Sequence, residues 1–236
     1  MDIKRCNLSG ADLRFANLRY SNLQYAELSG ANLNYANLYF ADLRYANLSE
    51  AAMVSAIMSN ALLNHADLHK ADLQKADMYG AFLNPTNLNG CNLSETNLVE
   101  ANISKSSLCG ANLTCALLYN VDLSDADLKA ANLRLAEMRK ASLPGADLLN
   151  ADLSEADLKC ADLQDARLTS ACLISANLSD CNLHGANLSD ARLRGCNLSG
   201  ADLTNAVMQD CDLRETDLQE SDLSGCDLCG CAMPVE

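Results

Sequence analysis

Three cysteines, Cys226, Cys229 and Cys231, crowd the stretch SGCDLCGCAMPVE, which contains a C-x-x-C. Thiolates at that spacing serve two chemistries, a tetrahedral metal site or a thiol–disulfide pair. His65 and His69 form a second motif, the i, i+4 pair that holds a metal from one face of a helix. Aspartates recur along the whole chain, and paired carboxylates are the equipment of acid–base catalysis. Whether any of these groups converge depends on the elements that carry them.

Composition narrows those elements. The 236 residues are 49% hydrophobic, with no Trp, 4% aromatics and three Pro, while Leu, Ala, Asn, Asp and Ser dominate. Such a skew indicates repetition. The formal net charge is −14, and it grows toward the C-terminus: residues 1–80 hold 7 basic and 8 acidic side chains, residues 161–236 hold 4 and 13. That balance argues against direct nucleic-acid binding, which needs clustered Lys and Arg. No run of 18 apolar residues occurs and MDIKRCNLSG lacks a charged-then-apolar leader, so no membrane span or signal peptide is expected. A cytoplasmic location follows as the default, and in a reducing compartment the twelve Cys are expected as thiols.

Numbered modulo five, one residue class (3, 8, 13 to 233) holds 39 Leu, 6 Met and 2 Ile in 47 consecutive units. The class two residues earlier is small, mostly Ala, and the class between is mostly Asp or Asn. All eleven Gly fall two residues after the Leu class. A period of five fits neither a helix at 3.6 nor a flat strand at 2. A chain that turns a corner every five residues instead returns each Leu, and the small residue before it, to one interior. In LPGA (143–146), Pro144 and Gly145 occupy the central positions of a type II turn, the second of which needs positive φ. Pro85 sits in that second position and cannot adopt positive φ, so a different turn is expected there.

These units resemble the pentapeptide-repeat family, whose signature is A-(D/N)-L-x-x; ADLRFANLRYSNLQYAELSGANL (11–33) matches it closely. The resemblance implies an all-β fold, a right-handed quadrilateral parallel β-helix or solenoid with 20 residues per coil and about twelve coils. Aromatic pairs twenty apart, Phe15/Tyr35, Tyr20/Phe40 and Tyr25/Tyr45, agree with twenty. One continuous repeat domain is expected over 1–233, followed by a short tail, 234–236. At roughly 4.8 Å per rung it would be a rod about 55 Å long. Its ends lack stacking partners, so an end-to-end homodimer is expected through the N-terminal coil, at Phe15, Tyr20 and Tyr25.

The register answers the opening question. Cys226 and Cys231 fall in the inward small class and Cys229 in an outward class, so their sulfurs diverge and no tetrahedral site is expected. Seven of the twelve Cys share the inward class, where Cys packs as a slightly larger Ala. A disulfide between Cys211 and Cys231, twenty apart, remains open. His65 and His69 lie on successive faces around a corner. Neither a nucleophile elbow nor a phosphate-binding loop is present, so the chain is expected to be no enzyme and to use no metal or cofactor.

Two surface features remain. On the face centred on residues 18, 38 and 58, outward positions carry Tyr20, Tyr39, Phe40, Ile57 and Tyr79, continuing with Val99, Leu117 and Tyr119. Leu62 and Phe82 flank that face at the next corner. Residues 57, 62, 82 and 117 replace the usual Asp or Asn, and contiguous exposed apolar surface marks interaction sites. The second feature is acidic: Asp162, Asp202 and Asp222 align in one ladder, Asp152 and Asp212 in another. Directly stacked carboxylates repel, and Asn182 between Asp162 and Asp202 dilutes that cost. The expected function is therefore a non-catalytic scaffold that presents a rigid rod surface to a protein partner. The alternative, implied by the resemblance, is an acidic mimic of B-form DNA that binds a type II topoisomerase such as gyrase, or another DNA-binding protein. The chain lacks the central Phe and the C-terminal dimerising helix found in such family members.

Overall fold

The computed structural model describes residues 1–234. Of the tail at 234–236, all but Pro234 lies outside the described residues. The chain returns beside itself every twenty residues. Asp2 bridges Asn22, Asn7 bridges Glu27, and parallel bridges of this kind recur at every fifth residue up to Asp212 with Ala232. Four ladders of single-residue bridges result, starting at Asp2, Asn7, Asp12 and Asn17.

This corrects the expected fold class. Among the described residues there is no helix, and no bridge extends into a β-strand, so no β-sheet forms. The chain does not adopt the all-β, right-handed quadrilateral β-helix, and with it the expected solenoid is not formed. The reason lies in the period. Each bridging residue stands between two turns, and a corner every five residues leaves one position per side that can pair. A strand needs consecutive pairing along a pleat.

The backbone accounts are nonetheless closed, as the unit Asn32–Ala36 illustrates. Asn32 N–H donates to Ala11 O in the preceding circuit (2.9 Å), and Leu33 and Tyr35 donate to Ala52 and Val54 in the next (2.7 and 3.0 Å). Ala36 N–H closes the corner on Leu33 O (2.9 Å). The fifth amide, that of Asn34, faces no backbone acceptor and donates to the side-chain Oδ1 of Asn32 (3.2 Å). Asp or Asn precedes most of the Leu class and accepts in this way. It is the residue whose own side chain can accept a hydrogen bond from the amide two positions on.

The residue two after each Leu takes positive φ throughout, whether Tyr45 (φ 62°) or Gly145 (φ 66°). Pro85 is the exception. It follows a cis peptide bond, and Thr86 N–H donates to Ser106 Oγ (3.0 Å) rather than closing the corner on Leu83. Register survives, because Asn87 still bridges Asp67 and Ser107.

Leu and Ala classes form one core running from Leu18 to Leu213, nearly every member fully buried. Each buried Leu contributes about 1.5–3 kcal/mol before chain entropy is set against it. At most positions where the small class holds Cys, Ser or Thr, the side chain donates to a corner carbonyl of the preceding circuit, as Cys91 to Leu68 O (2.8 Å), Thr96 to Leu73 O (3.0 Å) and Ser106 to Leu83 O (2.8 Å), while Ser21 and Ser221 donate to the corner of their own circuit. No helix among the described residues is long and apolar enough to cross a membrane.

Candidate docking surface

Large apolar residues at bridging positions are anomalous in this architecture. Ile57, Leu62, Phe82 and Leu117 stand where an Asp or Asn would accept the amide two residues on, and none can do so. Phe82 (46%), Ile57 (40%) and Leu117 (38%) keep much of their surface in solvent, and Leu62 is half-buried. Each lost hydrogen bond costs about 0.5–1.5 kcal/mol. These four fall in the third to sixth circuits; Leu62 and Phe82 share a ladder with Asp162, Asp202 and Asp222, with Phe82 four circuits before Asp162.

The ten apolar residues read from the sequence do not make one stripe. Tyr20, Tyr39 and Phe40 form a compact aromatic cluster, with ring centroids 4.7–5.9 Å apart and the Arg19 guanidinium over both tyrosines. Leu62 and Phe82 are bridge partners and stack on adjacent circuits. Ile57 and Leu117 share a ladder but are separated by Asp77 and Asn97, whose side chains are joined by a 2.9 Å hydrogen bond. Beside that pair, the exposed Tyr79 hydroxyl donates to Glu100 (2.5 Å), an interaction that raises the phenol above its ordinary value, and Val99 is half-buried. Tyr119, next to Leu117, lies under the Lys140 ammonium, 5.7 Å from the ring centroid. The surface is thus a set of apolar anchors in a polar frame.

Phe15, Tyr20 and Tyr25, assigned to a dimer end, occupy three successive corners of the first circuits. Phe15 is 72% exposed and stacks on Tyr35 at 5.2 Å. Tyr25 is already covered by Lys4 and Arg5, each about 5.5 Å from its ring. It begins a column that sequence reading took only as far as Tyr45: rings 25, 45 and 65 stack at 4.8 Å per step, and the third is His65. Extending the twenty-residue offset by one more step finds it.

The acidic positions are busier than a solvated stripe. Asp152 accepts from the Ser154 amide and hydroxyl, and Asp212 forms a two-point pair with Arg214 at 2.8 and 2.7 Å that lowers its carboxyl to about 2. Cys172 and Arg192 separate those two aspartates on their ladder. Asn182 lies between Asp162 and Asp202 and donates to Asp162 at 2.9 Å. Asp202 and Asp222 are direct bridge partners. Hydrogen bonds from Thr204 and Ser224 hold both below the ordinary carboxylate value.

All twelve cysteines are free thiols. Cys226 packs against the core and Cys229 is exposed, so the C-x-x-C points in different directions, and Cys231 donates inward to Met208 O (2.8 Å). Burial pushes the Cys91, Cys181 and Cys211 thiols up to about 12. Two recesses were not foreseen. One, of about 450 Å³, opens at Pro85 between His65 and Lys105; the other, of about 250 Å³, is lined by Tyr119, Arg139, Lys140, Lys159 and Cys160.

A family model described as Pentapeptide repeats matches eight segments: residues 2–34, 11–49, 21–60, 46–84, 86–114, 122–159, 161–200 and 196–233. Among solved structures, HetL of the cyanobacterium Nostoc sp. strain PCC 7120, a pentapeptide repeat protein involved in heterocyst differentiation regulation, is 31% identical. That match covers 98% of this chain and 90% of HetL, with a TM-score of 0.37. A pentapeptide repeat protein of the Arabidopsis thaliana thylakoid lumen is 30% identical over 52% of this chain and 69% of its own, at a TM-score of 0.22. Full-length QnrB1, a plasmid-mediated fluoroquinolone resistance protein, is 19% identical over 77% of this chain and 93% of its own, at 0.37. No curated protein matches the chain.

Proposed function

Since this chain belongs to the pentapeptide-repeat family, whose members are non-catalytic, we propose that it is a scaffold whose third to sixth circuits dock a protein partner. Non-catalytic partner binding is the role the family supports, and the apolar bridging positions point to the surface that would carry it. Four large apolar side chains replace the amide-accepting Asp or Asn at 57, 62, 82 and 117, and that observation carries the reading. The fold gains no local hydrogen bond from them and loses one at each. Interfaces concentrate their energy in a few aromatic and aliphatic anchors within a polar rim, and Phe82, Leu117, Tyr79 and Tyr119 have that setting.

The acidic reading, in which Asp152, Asp162, Asp202, Asp212 and Asp222 imitate a phosphate backbone, has less support. Arg192 and Arg214 interrupt or neutralise one of its two ladders. Docking on the apolar anchors predicts that Tyr79→Ser, Phe82→Ser and Tyr119→Ser together abolish capture of the partner that the wild-type chain retains from native lysate. The melting temperature should stay unchanged. Undiminished capture by the triple variant rules the surface out.

A further inference from the structure

The column Tyr25–Tyr45–His65 stops one step short. Its lower end is closed by the cations of Lys4 and Arg5 over Tyr25. At its upper end the next corner residue is Pro85, whose ring cannot reach outward as a Tyr does at that position. The His65 face not taken by Tyr45 lines the recess of about 450 Å³, and Lys105, one circuit beyond Pro85, lines the opposite wall. Two circuits separate His65 from Lys105, roughly 9.6 Å at the usual spacing of paired backbones. One flat ring stacked on His65 at the column's own 4.8 Å step fills that level.

The polar groups around the recess set the charge of the occupant. Asp67, its one carboxylate, is engaged through Oδ1 by Asn87 Nδ2 (2.8 Å) and by the His69 amide (3.1 Å). Ser107 is committed to Asn89 (2.6 Å), and the Thr86 hydroxyl to Leu63 O (2.8 Å). Lys105 forms no ion pair among the described residues, unlike Lys75, Lys129 and Lys159. A stacking face and an unpaired ammonium therefore stand on either side of a gap one ring deep.

We infer that the recess at Pro85 is a binding site for a planar aromatic group bearing an anion, the ring stacked on His65 and the anion on Lys105. The occupant restores the cation-capped order already present at the column's other end. The site borders the Leu62/Phe82 edge of the proposed docking surface but does not rest on that reading. Its test uses the free protein and a small probe, so either proposal can fail alone.

Phenylacetate is the probe, titrated against the full chain while the His65 ring protons are followed by NMR. A saturable upfield shift is expected, since a ring stacked on His65 shields it. Acetate should produce none, and benzyl alcohol should bind more weakly. Lys105→Ala should weaken phenylacetate about threefold, the effect of losing one exposed ion pair. Pro85→Tyr, which continues the column through its own side chain, should abolish binding; should that variant fail to fold, Lys105→Ala still decides. N-acetyl-glycyl-phenylalanine tests the source: tighter binding than phenylacetate points to the C-terminus of a partner chain, equal binding to a free aromatic acid. An unmoved His65 ring at tens of millimolar phenylacetate overturns the inference, as does benzylamine binding more tightly than phenylacetate.

Discussion

Asn34 accepts a hydrogen bond that its own circuit gives it no reason to accept. Its Oδ1 lies 2.8 Å from the Val54 amide, twenty residues on, because Ala52 stands where an Asp or Asn would have accepted that amide locally. Asn34→Ala removes the acceptor while leaving the Asn34 amide bonded to Asn32. A neutral hydrogen bond is worth about 0.5–1.5 kcal/mol net, and because the site is only half-buried, water recovers part of the loss; about 1 kcal/mol is expected. For a chain of this length that lowers the melting temperature by roughly 2–4 °C. Ala52→Asn supplies the missing local acceptor, so Asn34→Ala in the Ala52→Asn background should cost almost nothing. The coupling energy of the double-mutant cycle, measured by urea unfolding, is then about 1 kcal/mol. If Asn34→Ala costs the same whether residue 52 is Ala or Asn, the bridging Asp and Asn are not there to accept amides. The reasoning about positions 57, 62, 82 and 117 then loses its foundation.

Thiol reactivity divides the cysteines: Cys115, Cys160 and Cys229 are exposed and should react with maleimide in the native protein, while Cys91, Cys181, Cys196 and Cys211 stay unlabelled until denaturant is added. Mass spectrometry of the labelled peptides decides, and Cys91 modified as fast as Cys115 would contradict the packing. Asp212, held at about 2 by Arg214 against roughly 3.9 in the unfolded chain, stabilises the fold above pH about 4, and that contribution disappears as pH falls toward 2. Asp212→Asn should therefore narrow its urea-midpoint difference from wild type between pH 5 and pH 2.5; a difference independent of pH would show that the pair is not coupled to folding.

Much of this was readable from residue order. The unbroken Leu class predicted the buried interior, and the position of Gly in the register predicted where φ turns positive. Two things were not readable. Leu and Ala at a period of five say that the chain turns corners, but not how many residues pair between them, and one residue per side gives bridges without strands. The second was the purpose of Asp and Asn. A polar residue that faces outward looks like solubility, and only the orphan amide two residues on, as at Asn34, reveals it as part of the backbone's hydrogen bonding. His65 was missed because its spacing from His69 drew attention to metals, whereas its spacing from Tyr45 placed it in a stack.

Once that amide has a price, departures from Asp or Asn separate by what replaces them. Where Ala52 and Ser107 stand, Asn34 and Asn89 of the preceding circuit accept the stranded amides of Val54 and Cys109, both at 2.8 Å. After Ser142 comes Pro144, which has no amide to satisfy. Arg167 gains a contact to Asp147, Cys172 one to the Ser154 hydroxyl, and Glu27 one from Asn47. At Ile57, Leu62, Phe82 and Leu117 none of these compensations occurs among the described residues: the amides of Ser59, Asn64, Asn84 and Tyr119 have no partner within the protein, and the side chains that displaced their acceptors sit largely or partly in water. Elsewhere among the described residues the half-exposed Val207 is similar, and Glu137 and Arg192 also strand an amide, but with a charged side chain that water solvates. Folding favours Asp or Asn at each of these four sites, so the apolar residues there are best accounted for by something that covers them.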